Sequence, residues 1–244
     1  MLAKRVILSL TLNDGVLFRT KRFSPDYRYT LNFVDLELAD EILLLDVTRG
    51  PKGLHRKHFW DAIDSFSAEL FLPTTIGGLF TDSAETHYAF RVGGADKILI
   101  NTEAFRHPEW ITELSHKYGS QSIVIGIDVR GWHVWIDQGR EDTGKHVLEW
   151  AREVQERGAG EIVLMDMDRD GSLQGYNLEL VAAVSSAVGI PVVAIGGCGN
   201  WGHMVDGFAA GADACATAVI HHLTAASLKG CKSYLRDKGL EVRL

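Results

Sequence analysis

Residues 39–46 read ADEILLLD, and residues 159–166 read AGEIVLMD. Two shorter motifs recur in the same order: IGG at residues 76–78 and 195–197, and GAD at residues 94–96 and 211–213. The offset between copies stays between 117 and 120 residues, so the two copies remain in register. Two copies of so long a unit indicate a duplicated half-domain rather than a solenoid, whose repeats are about 20 to 50 residues long.

Each half alternates short apolar runs with longer segments of helical spacing, such as Phe59, Ile63 and Phe66. Strand–helix units in series, with strands that are apolar nearly throughout, predict a buried parallel sheet. The predicted strands are Arg5–Leu10, Glu41–Asp46, Phe71–Ile76, Lys97–Ile100, Ser122–Asp128, Glu161–Asp166, Pro191–Ile195 and Ala214–Val219.

Eight such units in 244 residues match a single (βα)8 barrel, which typically has about 250 residues. We therefore predict an α/β protein with one TIM-barrel domain over residues 1–244, built of two half-barrels of about residues 1–120 and 121–244. A doubly wound open sheet is the alternative, but it does not require a twofold internal repeat.

Composition and charge narrow the setting of the protein. The net charge of −7 argues against nucleic acid as the main partner. The uncharged stretch 180–202 has the length of a membrane span, but Pro191 and several glycines interrupt it, so we predict helix, turn and strand. The first residues lack the apolar core of a signal peptide. We expect a cytoplasmic protein without membrane association, whose cysteines, Cys198, Cys215 and Cys231, are buried free thiols.

Working residues of such barrels lie where the strands end. Asp128 ends a predicted strand, where burial would raise its pKa and suit it to proton transfer; capping of a loop is the alternative. Gly77-Gly78 and Gly196-Gly197 occupy equivalent strand ends and suggest two anion sites, although tight turns alone also require glycine. The acidic loop at residues 166–171 resembles the start of a calcium loop but lacks its final glutamate. We expect no metal and no cofactor.

Several motifs together resemble the cyclase subunit of imidazole glycerol phosphate synthase, a barrel of histidine biosynthesis. The resemblance extends almost from end to end and is carried by residues 1–7, 94–97, 100–102, 118–121, 157–162, 168–171, 175–176 and 242–244. It implies a barrel that receives ammonia from a class I glutaminase docked where the strands begin. Position by position, the family's ring of four charges falls on Arg5, Glu41, Lys97 and Glu161, and its partner-facing aspartate falls on Asp96. A salt-bridge plug that only closes the barrel is the alternative for the ring.

The resemblance fails in part where the strands end. The family's two catalytic aspartates correspond to Asp128 and to Thr11, whose hydroxyl does not exchange protons near neutral pH as a carboxylate does. Leu79 stands where a third glycine is expected, Arg19 replaces a lysine, and Ala218 or Val219 replaces a serine. The remaining phosphate-binding candidates are Gly78, Asn101 and Thr102 in one half and Asp170, Gly171 and Gly197 in the other.

A second branch of the superfamily, found in surface-polysaccharide clusters, also lacks the first aspartate, and residues 20–23 resemble it. Its barrels are thought to work with a glutaminase and a sugar amidotransferase that convert an acetamido sugar into an acetamidino sugar. We therefore expect an ammonia-transferring subunit of that kind, with a phosphate-bearing small molecule as ligand. A genuine cyclase subunit and a non-catalytic, phosphate-binding barrel are the alternatives.

Overall fold

The chain folds into a closed barrel of eight parallel strands surrounded by helices. The computed structural model describes residues 3–29, 36–50, 53–69, 71–218, 220 and 227–243. The strands are β1 (Arg5–Asn13), β2 (Val16–Lys21), β3 (Ser24–Arg28), β4 (Glu41–Asp46), β5 (Thr74–Gly77), β6 (Lys97–Ile100), β7 (Ile123–Arg130), β8 (His133–Ile136), β9 (Glu141–His146), β10 (Glu161–Asp166), β11 (Val192–Ile195) and β12 (Ala214–Thr217). The helices are α1 (Gly53–Glu69), α2 (Ser83–Arg91), α3 (Thr102–Arg106), α4 (Glu109–Tyr118), α5 (Val147–Glu156), α6 (Leu178–Ala187), α7 (Trp201–Ala209) and α8 (Leu228–Asp237).

Parallel pairing closes the barrel on itself. Its strands follow the order β1, β4, β5, β6, β7, β10, β11 and β12, and β12 pairs with β1. This closure confirms the (βα)8 barrel and rules out the open sheet. The division into half-barrels stays a prediction.

Two antiparallel hairpins lie outside the predicted strands. β2 and β3 follow β1, and β8 and β9 follow β7, so both hairpins extend from strand ends on the same side of the barrel. The other departures concern strand bounds. Phe71 was predicted to begin a strand, but β5 begins at Thr74 and the Phe71 side chain is 95% exposed.

Side chains of the barrel strands alternate between two apolar cores, as the period of two in a strand requires. One core lies inside the barrel and the other between the strands and the helices. The inner core contains Ile7, Leu43, Leu99, Val124, Val163, Val193, Ile195, Ala214 and Ala216. The outer core includes Phe59 and Ile63 of α1, which confirms the predicted helical face, and Trp150 and Val154 of α5.

Two further sequence predictions are confirmed. The uncharged stretch forms α6 and β11 with a turn between them, and no helix in the described part of the chain is long and apolar enough to cross a membrane. Cys198, Cys215 and Cys231 are buried and unbridged. Val219 lies outside the described residues.

Candidate functional site at the two ends of the barrel

Four charged side chains meet inside the barrel where the strands begin, and we call them the lower ring: Arg5, Glu41, Lys97 and Glu161. Lys97 Nζ donates to Glu41 Oε2 and to Glu161 Oε2, each at 2.8 Å. Arg5 donates to Glu41 at 3.0 Å and to Glu161 as well. Each carboxylate therefore contacts both cations, so the four predicted residues form one closed network.

Mutual pairing explains how these charges tolerate burial. The glutamate side chains are only 5% and 6% exposed, and Thr75 also donates its hydroxyl to Glu41. Burial of a carboxylate is costly unless cations and hydrogen bonds satisfy it. Outside the lower ring lies a depression lined by Lys4, Gln121 and Asp213, among others. The lower ring therefore has an approach from the face where the strands begin.

Asp96 is exposed on that same face. Its Oδ2 accepts a hydrogen bond from the backbone N–H of Thr74, the first residue of β5, at 2.8 Å. Asp213, its counterpart in the repeat, accepts from Val192 N at 3.0 Å in the same way. The sequence analysis missed this shared role, in which an aspartate fixes the start of the neighbouring strand. The partner-facing role of Asp96 stays a prediction.

Two adjoining cavities open at the opposite end, and we call this region the upper mouth. The larger cavity, of about 340 Å³, is lined by six of the predicted residues: Thr11, Gly78, Asn101, Thr102, Asp128 and Asp170. The smaller cavity is lined by Thr11, Asp170, Gly171 and Gly197. The fold thus brings the predicted catalytic and phosphate-binding residues to one end, far along the strands from the lower ring.

Asp128 lines the larger cavity. Burial raises the pKa of its carboxyl to about 7, although a 2.7 Å hydrogen bond from Asn101 Nδ2 opposes the shift and the nearby Asp170 adds to it. A carboxyl group with a pKa near 7 can both accept and donate protons at neutral pH. The structure therefore gives Asp128 the properties of an acid–base group.

Asp170 holds the β2–β3 hairpin beside the upper mouth. Its carboxylate accepts hydrogen bonds from Thr20 Oγ1 at 3.1 Å and from Phe23 N at 3.0 Å. Burial raises the pKa of this carboxyl too, while those two hydrogen bonds and the charge of Arg19 act in the opposite direction. Because the hairpin was not predicted, this positioning role was not visible in the sequence.

Thr11 does not replace the missing carboxylate in the geometry. Its hydroxyl donates to the backbone carbonyl of Phe18, in the first strand of the hairpin. Thr11 lines both cavities, but its only side-chain proton is engaged in holding local structure. Asp128 therefore stands without a second carboxylate at that position.

Local packing alone explains why glycine is required at Gly78 and Gly197. Gly78 has φ +92°, and a Cβ there would come within 2.2 Å of the Asp46 carbonyl oxygen. Gly197 also has φ +92°, and its Cβ would lie 2.3 Å from Gly175 O. The turns thus require glycine whether or not an anion binds. Leu79 nevertheless adopts φ +59° directly after Gly78.

Arg56 and several histidines take no part in this site. Arg56, which the sequence did not single out, pairs with the buried Asp46 at 2.8 Å; Asp46 lines the larger cavity, but Arg56 does not. His58 Nδ1 lies 2.7 Å from Asp14, at a partly exposed position. His221 and His222 lie outside the described residues, as does the side chain of His55. Within the described ranges, no group of three or more His, Cys, Asp or Glu side chains is placed to hold a metal ion.

Comparison with known proteins places the chain among histidine biosynthesis proteins. The family model with that description matches residues 9–226. Imidazole glycerol phosphate synthase subunit HisF from Chlorobium phaeobacteroides is 41% identical over the whole of both chains. The proteins of the same name from Chlorobium luteolum and Chlorobaculum tepidum are 40% and 39% identical, again with full coverage of both chains.

Proposed function

The chain belongs to the histidine biosynthesis protein family and is HisF-like over its whole length, and we propose that it is the barrel subunit of a glutamine-dependent amidotransferase system. In this proposal the barrel takes ammonia from a class I glutaminase and delivers it for the amidation of an acetamido sugar of a surface polysaccharide. The ammonia nitrogen replaces the amide oxygen of the sugar, and that oxygen leaves after the sugar amidotransferase has activated it with a nucleoside triphosphate. The observation that carries the proposal is a complete lower ring below an upper mouth with Thr11 in place of a carboxylate.

The interior between the two ends suits the passage of ammonia. Above the lower ring, the barrel is filled by aliphatic side chains such as Ile7, Leu43 and Val124. A neutral ammonia molecule crosses an apolar region at far smaller cost than an ammonium ion. The lower ring would then act as the gate, with Lys97 and Arg5 moving aside from the two glutamates.

The glutaminase partner would dock on the face where the strands begin. The depression outside the lower ring opens there, and Asp96 is exposed on the same face. A second partner, the sugar amidotransferase, would take up ammonia or the activated sugar at the upper mouth. The protein would act in the cytoplasm, where glutamine and activated sugars occur.

The chemistry of the upper mouth fits amidation better than cyclisation. Asp128, with a pKa of about 7, would carry a proton to or from the reacting nitrogen. Asn101 would orient it through the 2.7 Å hydrogen bond. A phosphate group on the ligand would lie at Gly171 and Gly197, beside Arg19, in the smaller cavity. Only one acid–base carboxyl would be required.

Complex formation tests the partnership. We expect the chain, co-expressed with a class I glutaminase encoded beside it, to elute from size-exclusion chromatography as a one-to-one complex. Asp96→Asn keeps an oxygen for Thr74 N but removes the charge, and it should weaken the complex about tenfold. Asp206→Asn, an exposed change on α7, is the control. Two monomer peaks at micromolar concentration would contradict the proposal.

Delivery of nitrogen tests the reaction itself. Glutamine labelled with ¹⁵N in its side-chain amide would be supplied to the barrel, the glutaminase and the sugar amidotransferase, together with an acetamido sugar and a nucleoside triphosphate that activates its amide oxygen. We expect ¹⁵N in the sugar product only when all three proteins are present, as measured by mass spectrometry. Label in the sugar without the barrel would show that the barrel is not the ammonia route.

The names of the relatives favour a second candidate, the cyclase subunit of imidazole glycerol phosphate synthase. A cyclase supplied with ammonium salt and the ribulosyl aminoimidazole carboxamide substrate should work without a glutaminase. We expect a rate at least about a hundredfold below that of an ordinary cyclase, because Thr11 cannot transfer the second proton. An ordinary rate would establish the cyclase and leave Asp128 as its main catalytic group. Absence of both reactions and of any complex would favour a phosphate-binding barrel without catalysis.

A further inference from the structure

The two cavities of the upper mouth differ in charge. Among the described residues that line the larger cavity, five are acidic and two are basic: Asp46, Glu103, Asp128, Asp137 and Asp170 against Arg49 and Arg106. Arg106 is already paired with Glu141 at 2.8 Å and lies 3.9 Å from Glu103. Two of the acids are also paired, Asp46 with Arg56 and Asp137 with Arg140, each at 2.8 Å. Glu103, Asp128 and Asp170 then remain against Arg49, so an anion in this cavity would still meet an excess of negative charge.

The hydrogen-bonding groups of the larger cavity also suit a ligand that donates hydrogen bonds better than they suit a phosphate. One amide N–H of Asn101 is directed at Asp128, and one of Gln138 is directed at the Thr48 carbonyl at 2.8 Å. Each of these amides keeps its oxygen and one N–H for a ligand, and Asp128 adds a carboxyl oxygen, so acceptors outnumber donors among these three side chains. A phosphate above neutral pH offers mainly acceptors, whereas hydroxyl and N–H groups are the natural partners of such oxygens.

Leu79 adds an apolar surface to the same cavity, together with Phe23 and Phe80. Its φ of +59° is a conformation that costs a leucine but not a glycine. A glycine at this position would relieve the backbone and leave amide N–H groups open to an anion. The leucine instead fills that space with a side chain.

The smaller cavity differs in its balance of charge and in its exposed backbone. Its described lining has one cation, Arg19, and one acid, Asp170. Arg19 Nη2 donates to Gly171 O at 3.1 Å, whereas its buried Nε makes no hydrogen bond in the described structure and lies 3.7 Å from the partly exposed Asp26. Gly196 and Gly197, both at positive φ, bring backbone close to the cavity without side chains. An anion fits here.

We infer that the upper mouth binds an asymmetric ligand, with its one anionic end in the smaller cavity and an uncharged, hydroxyl- or amide-bearing end against Asn101, Gln138 and Leu79 in the larger. This inference rests on the proposed function, which it deepens by assigning the acetamido sugar ring to the larger cavity. A ligand of this kind differs from a substrate that carries phosphate at both ends.

The first measurement counts phosphate sites. Inorganic phosphate is titrated calorimetrically into the full-length protein at pH 8, where most of the Asp128 carboxyl is ionised. We expect at most one site per chain, weakened at least tenfold by Arg19→Met. The double variant Leu79→Gly/Asp128→Asn should gain a second site. Two phosphate sites in the unmodified protein would overturn the inference.

The second measurement uses N-acetylglucosamine as a neutral probe, detected by saturation-transfer NMR. We expect transfer to the sugar, reduced at least fivefold by Gln138→Ala, which lines only the larger cavity, and unchanged by Leu173→Ala, which lines only the smaller one. No transfer, or equal loss in both variants, would overturn the inference. If phosphate fails to bind anywhere while the sugar binds as expected, the anion site of the proposed function fails and the inference about the larger cavity stands.

Discussion

Both ends of the barrel hold carboxylates inside the fold, yet the lower-ring glutamates and Asp128 of the upper mouth have opposite surroundings. In the lower ring, Glu41 and Glu161 both contact two cations. In the upper mouth, the close side-chain contact of Asp128 is the neutral amide of Asn101, and burial raises the pKa of Asp128 to about 7. Carboxylates matched by cations hold structure, whereas an unmatched carboxyl is poised to exchange protons. This difference supports the proposal that one end is a gate and the other is the reacting site.

Removing one cation from the lower ring should have the largest effect on the free energy of unfolding. Lys97→Met leaves two nearly buried glutamates with Arg5 as their only cation, and removal of one partner from a buried ion pair typically costs about 3 to 5 kcal/mol. We expect the free energy of unfolding, measured in urea at pH 7.5, to fall by about 3 kcal/mol or more.

Lys57→Met provides the matched control for Lys97→Met. Lys57 pairs with Asp61 at 2.6 Å, but both side chains are more than half exposed. An exposed pair of this kind contributes less than about 1 kcal/mol. Equal effects of the two substitutions would show that the lower ring is not a desolvated network of ion pairs.

Asp128→Asn should have the next largest effect on the free energy of unfolding. The substitution should stabilise the protein at neutral pH, whereas replacement of a buried residue usually destabilises a protein. A carboxyl whose pKa is about 7 in the folded protein and about 3.9 when unfolded binds an extra proton in the folded state between those values. The stability of the unmodified protein therefore falls as pH rises from about 4 to about 7. Asparagine does not titrate, so the variant should gain relative stability across that window, reaching about 2 to 4 kcal/mol above pH 7.

Urea unfolding of both proteins at several pH values measures this difference and cancels titrations that they share. Asp142→Asn is the control, because a hydrogen bond from Gly144 N lowers the pKa of the exposed Asp142. Its pH dependence should have the opposite sign and be small. If the difference in the free energy of unfolding between Asp128→Asn and the unmodified protein did not change with pH, the raised pKa of Asp128 would be contradicted.

Substitutions of Leu79 should have the smallest effect on stability. Leu79→Gly and Leu79→Ala both remove the side chain, but only glycine adopts φ +59° without steric cost. We expect the glycine variant to be more stable than the alanine variant by about 0.5 to 1 kcal/mol, measured by thermal unfolding. Greater stability of the alanine variant would mean that the loop does not hold this backbone conformation.

Much of this comparison could be predicted from the sequence because the signals were repeated or periodic. β4, β6 and β10 have the predicted bounds, since each begins with a charged residue and continues as an apolar run. The four charges of the lower ring could be named through the family resemblance, and the structure brings all four together. Predicted strand ends without such a boundary were less accurate, as the exposed Phe71 shows.

The sequence by itself determined the parallel barrel and the inventory of functional groups, because apolar periodicity and internal duplication are properties of the chain order. It also showed that Thr11 and Leu79 depart from the related cyclases. Only the tertiary structure decided that Asp170 would anchor the β2–β3 hairpin and that Asn101 would contact Asp128. These contacts join residues 27 to 150 positions apart, and burial and pKa depend on the side chains that the fold brings together rather than on sequence neighbours.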